Sequence, residues 1–271
     1  MVKTFAVIGD PIDHSLSPSI HNAAFKALNM DCTYIAYRIP RGELEEGIAS
    51  LRKINISGFN VTIPHKIEVL KYLDELSEEC RTIGAANTVS NENGRLVGYN
   101  TDMDGFLAPI KQRGIAIKGQ SVLLLGAGGA ARAIVAGFAK EGAGHISISS
   151  RTWEKADGLA RFAQGLGIKA EPVPLEDAGK RRYRFVVNAT PVGLKNEPSP
   201  ISTSMIDSEC IVYDIIYMPM NTDLIAQSKK NGAAIIYGYE MLLGQAAIAF
   251  EIWHKVKAPY DAMKKVLLGG F

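Results

Sequence analysis

Apolar positions in this chain shift repeatedly between a period of two and a period of three to four. TFAVIGD is an apolar run closed by Gly9 and Asp10, which predicts a strand ending in a turn. SPSIHNAAFKALNM follows with helical spacing, with Ser17 standing as an N-cap and Pro18 at the first helical position. A strand (CTYIAYRI), a helix (RGELEEGIASLRKI), the strand GFNVTI and a charged helix (HKIEVLKYLDEL) come next. Strands that alternate with helices predict a largely parallel sheet with crossover connections.

NTDMDGFLAPIKQRG leads into a second unit of the same kind. Its first strand, SVLLL, runs through a glycine-rich turn into an Ala-rich helix. HISIS and then TWEKADGLARFAQGLG read as the next strand and helix, and RFVVNATPVG, CIVYDIIY and GAAIIYG as further strands. The final stretch, YEMLLGQAAIAFEIWHKVKAPYDAMKKVLL, is predicted helical almost throughout. Apolar residues surround its first half, which predicts packing between layers. No segment repeats at a fixed period.

Length and composition sharpen this α/β picture. A chain of 271 residues is long enough for two domains. Its 47% apolar and 21% charged residues are those of an ordinary soluble globular protein. Thirty Lys and Arg against 28 Asp and Glu leave a net charge of +2, which gives no reason to expect a nucleic-acid or anionic-membrane partner. Lys180, Arg181, Arg182 and Arg184 read as a solvated loop before a strand. Cys32, Cys80 and Cys210 are odd in number, far apart and without a Cys–His spacing, so neither a disulfide framework nor a bound metal is expected. A reducing cytoplasm fits. MVKTFAVIGDPIDHS reads as a first strand rather than a signal peptide, and no apolar segment approaches membrane-spanning length.

Candidate chemistry begins at VLLLGAGGAARA, which matches G-x-G-x-x-A through Gly126, Gly128 and Ala131 between a strand and a helix. Gly126 allows the tight turn, Gly128 lets the backbone approach a pyrophosphate, and the helix N-terminus offers free N–H donors. In an NAD site, a carboxylate at the end of the second strand would accept from the ribose 2′-hydroxyl. Here that strand ends in Ser150, Arg151 and Thr152, with Lys155 a turn later. Two cations and two hydroxyls suit a 2′-phosphate, so the pattern favours NADP.

A second candidate lies in SGFNVTIPHK. Phe59, Val61 and Ile63 alternate on one face of a strand, Asn60 and Thr62 share the other, and Pro64, His65 and Lys66 follow. The residues alone leave an edge strand with a polar cap and a binding strand both open.

GDPIDHSLSPSIHNAAF, GFNVTIPHK, GAANTV, GYNTDMDGF, GAGGAARA, SRTWEKA, NATPVG and EMLLGQAAIAFEIW, in that order, resemble the shikimate dehydrogenase family. The resemblance runs from Val7 to about Trp253; its first four motifs are specific to the family, whereas GAGGAA alone is not. It implies two α/β domains: a substrate-binding domain of residues 1–102 plus 240–271, and a Rossmann NADP-binding domain of residues 103–239, with a final helix returning to the first. The implied reaction is the reversible NADPH-dependent reduction of 3-dehydroshikimate to shikimate, on the route to chorismate and the aromatic amino acids.

Matched residue by residue, the resemblance implies Lys66 and Asp102 as the catalytic pair. It implies Ser15 and Ser17 at the substrate carboxylate, and Asn60, Thr62, Asn87, Thr101, Tyr217 and Gln245 around the ring. A cyclic triol carboxylate needs such a set, because each hydroxyl can both donate and accept. On the cofactor side it implies Gly126, Ala127, Gly128, Gly129, Ala130, Ser150, Arg151, Thr152, Lys155, Thr190, Gly238 and Met241. The chain departs from the family at Ser150, commonly Asn, and at Tyr237, commonly acidic or Asn; Tyr239 and Glu240 fill the variable positions that follow Gly238. An NAD(P)-dependent quinate/shikimate dehydrogenase is the nearest rival reading, and a non-catalytic cofactor-binding module is a second. Monomer and homodimer both stay open.

Overall fold

A computed structural model describes residues 2–269. Its contacts divide the chain into two compact units, Met1–Gly105 with Leu243–Phe271, and Phe106–Leu242. The sequence reading cuts the chain three residues earlier at each border, at 102/103 and 239/240.

The first unit opens with β1 (Lys3–Gly9), α1 (Ser17–Ala27), β2 (Cys32–Arg38), α2 (Leu44–Lys53) and β3 (Gly58–Val61). It continues through β4 (Glu75–Leu76), α3 (Glu78–Ile83), β5 (Thr88–Glu92) and β6 (Arg95–Tyr99) to the start of α4 (Asp102–Gln112). The strands lie in the order β2-β1-β3-β5-β6-β4. β1 is parallel to both β2 and β3, but β5 is antiparallel to β3 and to β6. The sheet is therefore mixed, where alternation of strands and helices predicted a largely parallel one. The signal for the difference is NENG: Asn93 and Gly94 both take positive φ, as a two-residue hairpin turn requires.

Three local expectations change as well. Ser17 is the first residue of α1, not its cap; the N-cap is Leu16, and no side chain caps the helix. HKIEVLKYLDEL forms only a 3₁₀ turn, Glu68–Tyr72, before joining the sheet as β4. Asp74 explains the departure: its N–H bonds Leu96 O and its carboxylate accepts from Leu96 N at 2.7 Å, tying the chain to β6. β3 ends at Val61, between β1 and β5 rather than at an edge, and Ile63 is 66% exposed instead of sharing the buried face of Phe59 and Val61. The backbone turns away there, with Thr62 N bonded to Ile8 O and Pro64 supplying no donor.

The second unit contains β7 (Ser121–Leu125), α5 (Gly129–Lys140), β8 (His145–Ser149), α6 (Trp153–Gly165), β9 (Lys169–Pro172), α7 (Leu175–Ala178), β10 (Phe185–Asn188), β11 (Ile211–Asp214), α8 (Asp223–Lys230) and β12 (Ala234–Tyr237). All its pairings are parallel, in the order β12-β11-β10-β7-β8-β9. This is a doubly wound Rossmann sheet whose strand order reverses between β7 and β10, where such sheets bind ligands beyond the carboxyl ends of their strands. Lys180, Arg181 and Arg182 are paired with Asp177, Glu171 and Asp207, which neutralises these three cations locally, and Arg184 donates to the backbone Glu209 O.

The chain ends in α9 (Gly238–His254) and α10 (Tyr260–Leu268), with a break at 255–259 where the sequence pattern predicted near-continuous helix. In the first unit α10 packs against α1, and Trp253 Nε1 donates to Val89 O at 2.9 Å. Phe5, Phe25, Phe250, Trp253 and His254 form an aromatic cluster with His21 beneath the sheet.

Candidate active site

In the first unit, the last residue pairs of β3, β5 and β6 bring polar side chains to one place. The turn after β3 carries Lys66, whose Nζ lies 2.5 Å from Asp102 Oδ2. Asp102 is the first residue of α4, where the positive end of the helix favours a carboxylate. The side chains are 13% and 5% exposed, so this ion pair is largely screened from water and its charges attract each other more strongly than those of an exposed pair. Asn100 fixes the turn into α4, accepting from Asp102 N at 3.1 Å while donating to Ala85 O.

Asn87 is the hub beside this pair. Its Nδ2 reaches Thr101 Oγ1 and Asp102 Oδ1, both at 2.9 Å, and Gln245 Oε1 at 3.4 Å. Its Oδ1 accepts from Thr101 N at 2.7 Å. Gln245 comes from α9, and the approach depends on Gly105: a Cβ there would stand 2.7 Å from Gln245 N. Thus Lys66, Asn87, Thr101, Asp102 and Gln245 form one contiguous set, held by partners up to 158 residues apart in sequence.

Asn60 belongs to an adjoining set. Its Nδ2 donates to Asn87 O at 3.1 Å and Thr88 Oγ1 at 2.9 Å, and its Oδ1 accepts from Tyr34 Oη at 2.6 Å. Thr62 is half-buried just past the strand end. Ser15 Oγ accepts from Ser17 N at 3.3 Å, and Ser17 itself is buried. Sequence reasoning singled out neither Tyr34 nor Thr88; an apolar strand pattern gives no sign that one tyrosine in it turns its hydroxyl to a distant amide.

The second unit presents a different surface. Gly126 ends β7 with φ +108°, and a Cβ there would lie 2.7 Å from Ala189 O. Gly128 opens α5 with no side-chain cap, and a Cβ on it would meet no atom within 4 Å. The turn Gly126, Ala127, Gly128, Gly129, Ala130 therefore leaves helix N–H groups uncovered beside open space, which is the geometry a pyrophosphate needs. Beyond β8, Arg151, Thr152 and Lys155 are exposed; Thr152 occupies the N-cap of α6, yet its hydroxyl caps nothing. Ser150 Oγ accepts from Thr152 N. No carboxylate stands among residues 149–153, and the residues present fit a dinucleotide with a 2′-phosphate.

Thr190 is held at the end of β10, donating from N and Oγ1 to Asn188 Oδ1 at 3.0 and 2.7 Å. Asn188 in turn donates to the buried Asp214, whose carboxyl is pushed above its usual pKa by burial. Gly238 starts α9 against the backbone of Ile215 and Ile216, and Met241 is buried one turn later. Glu240, at one of the variable positions that follow Gly238, takes both Arg113 guanidinium nitrogens at 2.8 and 3.0 Å and accepts from Tyr237 N. Tyr217, after β11, is half-buried, and burial raises the pKa of its hydroxyl. A surface groove of about 900 Å³ lined by Leu175, Gly179, Ser199 and Ile201 contains none of these residues. Among the described residues no cluster of His, Cys, Asp and Glu could hold a metal, and no helix is long and apolar enough to cross a membrane.

Comparison with known proteins gives a consistent result. Residues 7–89 match the shikimate dehydrogenase substrate-binding domain, 109–190 the shikimate/quinate 5-dehydrogenase domain, and 238–268 the shikimate 5′-dehydrogenase C-terminal domain. The chain is 62% identical over 273 residues to the shikimate dehydrogenase (NADP(+)) of Nitrosopumilus maritimus, covering 100% of both. A crystal structure of a shikimate dehydrogenase in complex with NADP+ superposes with a TM-score of 0.92 at 38% identity, over 99% of this chain and 96% of that one. The Thermus thermophilus enzyme in complex with NADP(H) and shikimate gives 0.88 at 36% identity, over 99% and 100%.

Proposed function

We propose that this chain, which belongs to the shikimate dehydrogenase family, catalyses the reversible NADPH-dependent reduction of 3-dehydroshikimate to shikimate. The observation that carries the reading is the Lys66–Asp102 pair, largely buried and joined to Asn87, Thr101 and Gln245. Such a set offers a cation, a carboxylate, two amides and a hydroxyl, a combination suited to ring hydroxyls and to one oxygen that changes charge.

Bound NADPH supplies the hydride that reaches the carbonyl carbon. Negative charge then builds on the ring oxygen, and Lys66 Nζ stabilises it and hands over the proton. Asp102 keeps the ammonium aimed and compensates its charge before and after transfer. Positioned acid–base groups of this kind contribute about 10²- to 10⁴-fold to rate. Asn87, Thr101 and Gln245 orient the ring hydroxyls, with Asn60 and Thr62 beside them, and Ser15 and Ser17 take the carboxylate at the opening of α1. An analogue lacking a hydroxyl leaves buried groups unpaired and is rejected.

The turn Gly126–Ala130 holds the pyrophosphate, and Arg151, Thr152, Ser150 and Lys155 hold the adenosine 2′-phosphate. Thr190, Gly238 and Met241 border the nicotinamide. The free thiols of Cys32, Cys80 and Cys210 suit a cytoplasmic enzyme. Absorbance at the NADPH band tests the reading: shikimate with NADP is turned over, and shikimate with NAD much more slowly. Preferred turnover of quinate with NAD would assign the chain to the other branch of its family. Tight NADP binding without turnover of either would make it a binding module.

A further inference from the structure

Lys66 stands on a turn that belongs to no strand, so something other than a sheet ladder must hold it. The preceding residue, His65, is fully buried; its partner Ile39 and its near neighbours Val61 and Val69 belong to one apolar core cluster. Only one imidazole nitrogen is engaged there. Nε2 lies 2.7 Å from Ile39 O, and Nδ1 is buried without a hydrogen bond. A carbonyl can only accept, so Nε2 carries the hydrogen. The register of β1 on β2 shows why that carbonyl is open. Gly9 is paired with Arg38 and Gly9 O accepts from Ile39 N, so the next donor to Ile39 O along a parallel ladder is residue 11. That residue is Pro11, which has no N–H. His65 supplies the missing donor and satisfies a buried carbonyl from 26 residues away.

The same bond fixes the base of Lys66. On one side the ring of the preceding residue is tied to the end of β2; on the other, Lys66 O accepts from Ala86 N at 2.8 Å. The far end of the side chain has little freedom either. Its partner Asp102 opens α4 and accepts from Asn87 Nδ2 at 2.9 Å through its other oxygen, so the carboxylate cannot follow a displaced ammonium. We propose that His65 is the positioning residue for Lys66, its Nε2–H bond to Ile39 O setting where the ammonium stands relative to Asp102 and to the reacting ring oxygen. This rests on the reading of Lys66 as the group that takes up the developing charge. The bond stays intact through turnover, because a fully buried imidazole and a backbone carbonyl take no part in binding or proton transfer. Misplacing a reacting group by about 1 Å can cost about 10²-fold in rate, so the effect of His65 falls on kcat.

His65→Phe keeps a planar ring and, since Nδ1 is unengaged, removes the Nε2 bond alone. It is expected to lower kcat about tenfold, with KM for shikimate and for NADP within about threefold. His65→Gln, whose amide nitrogen can stand where Nε2 stands, should bring kcat back to within about threefold of the unaltered protein. His65→Asn, whose amide is one carbon shorter, should stay as low as His65→Phe. In a Lys66→Ala background His65→Phe should have little further effect on kcat, because the group through which it acts is gone. An unchanged kcat in His65→Phe, or effects that multiply fully in the double variant, would reduce His65 to a core residue and overturn the proposal. If His65→Phe does not fold, the amide pair decides: kcat higher with Gln than with Asn supports the proposal, and equal kcat overturns it. Failure of the unaltered protein to oxidise shikimate with NADP is a separate result that removes the functional reading itself.

Discussion

In the first unit the candidate polar side chains are wired to one another: Asn87 to Thr101, Asp102 and Gln245, Asp102 to Lys66, and Asn60 to Thr88 and Tyr34. In the second, the glycine turn offers bare backbone N–H groups, and Arg151, Thr152 and Lys155 stand exposed. The contrast follows from the ligands each would meet. Ring hydroxyls are neutral and directional, so their partners must be fixed in angle as well as position. Phosphates carry charge that a helix end and mobile cations can satisfy from several directions. A wired site should respond to substitution in its chemistry, and an open one mainly in its affinity.

The strongest test of that contrast is Lys66→Ala, which should lower kcat by about 10²-fold or more with a much smaller change in KM for shikimate. Because Asp102 would lose its partner in a largely buried place, thermal unfolding should accompany the kinetics. A variant with near-normal kcat and only a raised KM would move Lys66 into the binding role.

Arg151→Ala should act on affinity alone, raising KM for NADP by roughly 10- to 150-fold, the worth of one hydrogen bond to a charged group. NAD lacks the 2′-phosphate and should be nearly unaffected, so the preference between cofactors collapses. Lys155 can compensate in part, which pushes the effect to the low end. Equal losses with both cofactors would mean that the 2′-phosphate is held elsewhere. Smaller again is Ser15→Ala, expected to raise KM for shikimate by about tenfold, since Ser15 is half-buried and also serves Ser17 N. Its NADP affinity, read by fluorescence titration, should stay constant.

Acid separates the units more gently. His21 and His254, both in the first unit, have pKa values lowered by burial to about 3 and about 4. A neutral buried histidine leaves proton uptake to the unfolded chain, so its stabilisation is full above pH 6.5 and falls as pH drops from there towards the folded value. Each such group can contribute a slope of up to about 1.4 kcal/mol per pH unit. Asp214 in the second unit is shifted the other way, upward, so its contribution grows on acidification. Between pH 6.5 and 4 the first unit should therefore loosen first. Trp253 lies in the first unit and Trp153 in the second, so fluorescence of Trp153→Phe follows the first unit alone. Simultaneous loss of both units across that range would show that they do not unfold independently.

What the sequence determined by itself is what neighbours along the chain enforce. The strand, glycine turn and helix around Gly126 are legible because Gly126 needs its positive φ and the whole motif spans a few residues. Family motifs name Lys66, Asp102 and Asn87 for the same reason: each sits in a short run with its own signature. Tertiary structure decided where hydrogen bonds go between segments. Asp74 draws the predicted charged helix into the sheet, Leu16 takes the cap position and leaves Ser17 inside the helix, and Ile63 turns outward once β3 pairs on both sides. Tyr34 and Asn60 are 26 residues apart, and Asn87 and Gln245 158. A buried polar group must find a partner wherever the fold supplies one, and nothing in the local pattern of apolar and polar residues says which distant group that will be.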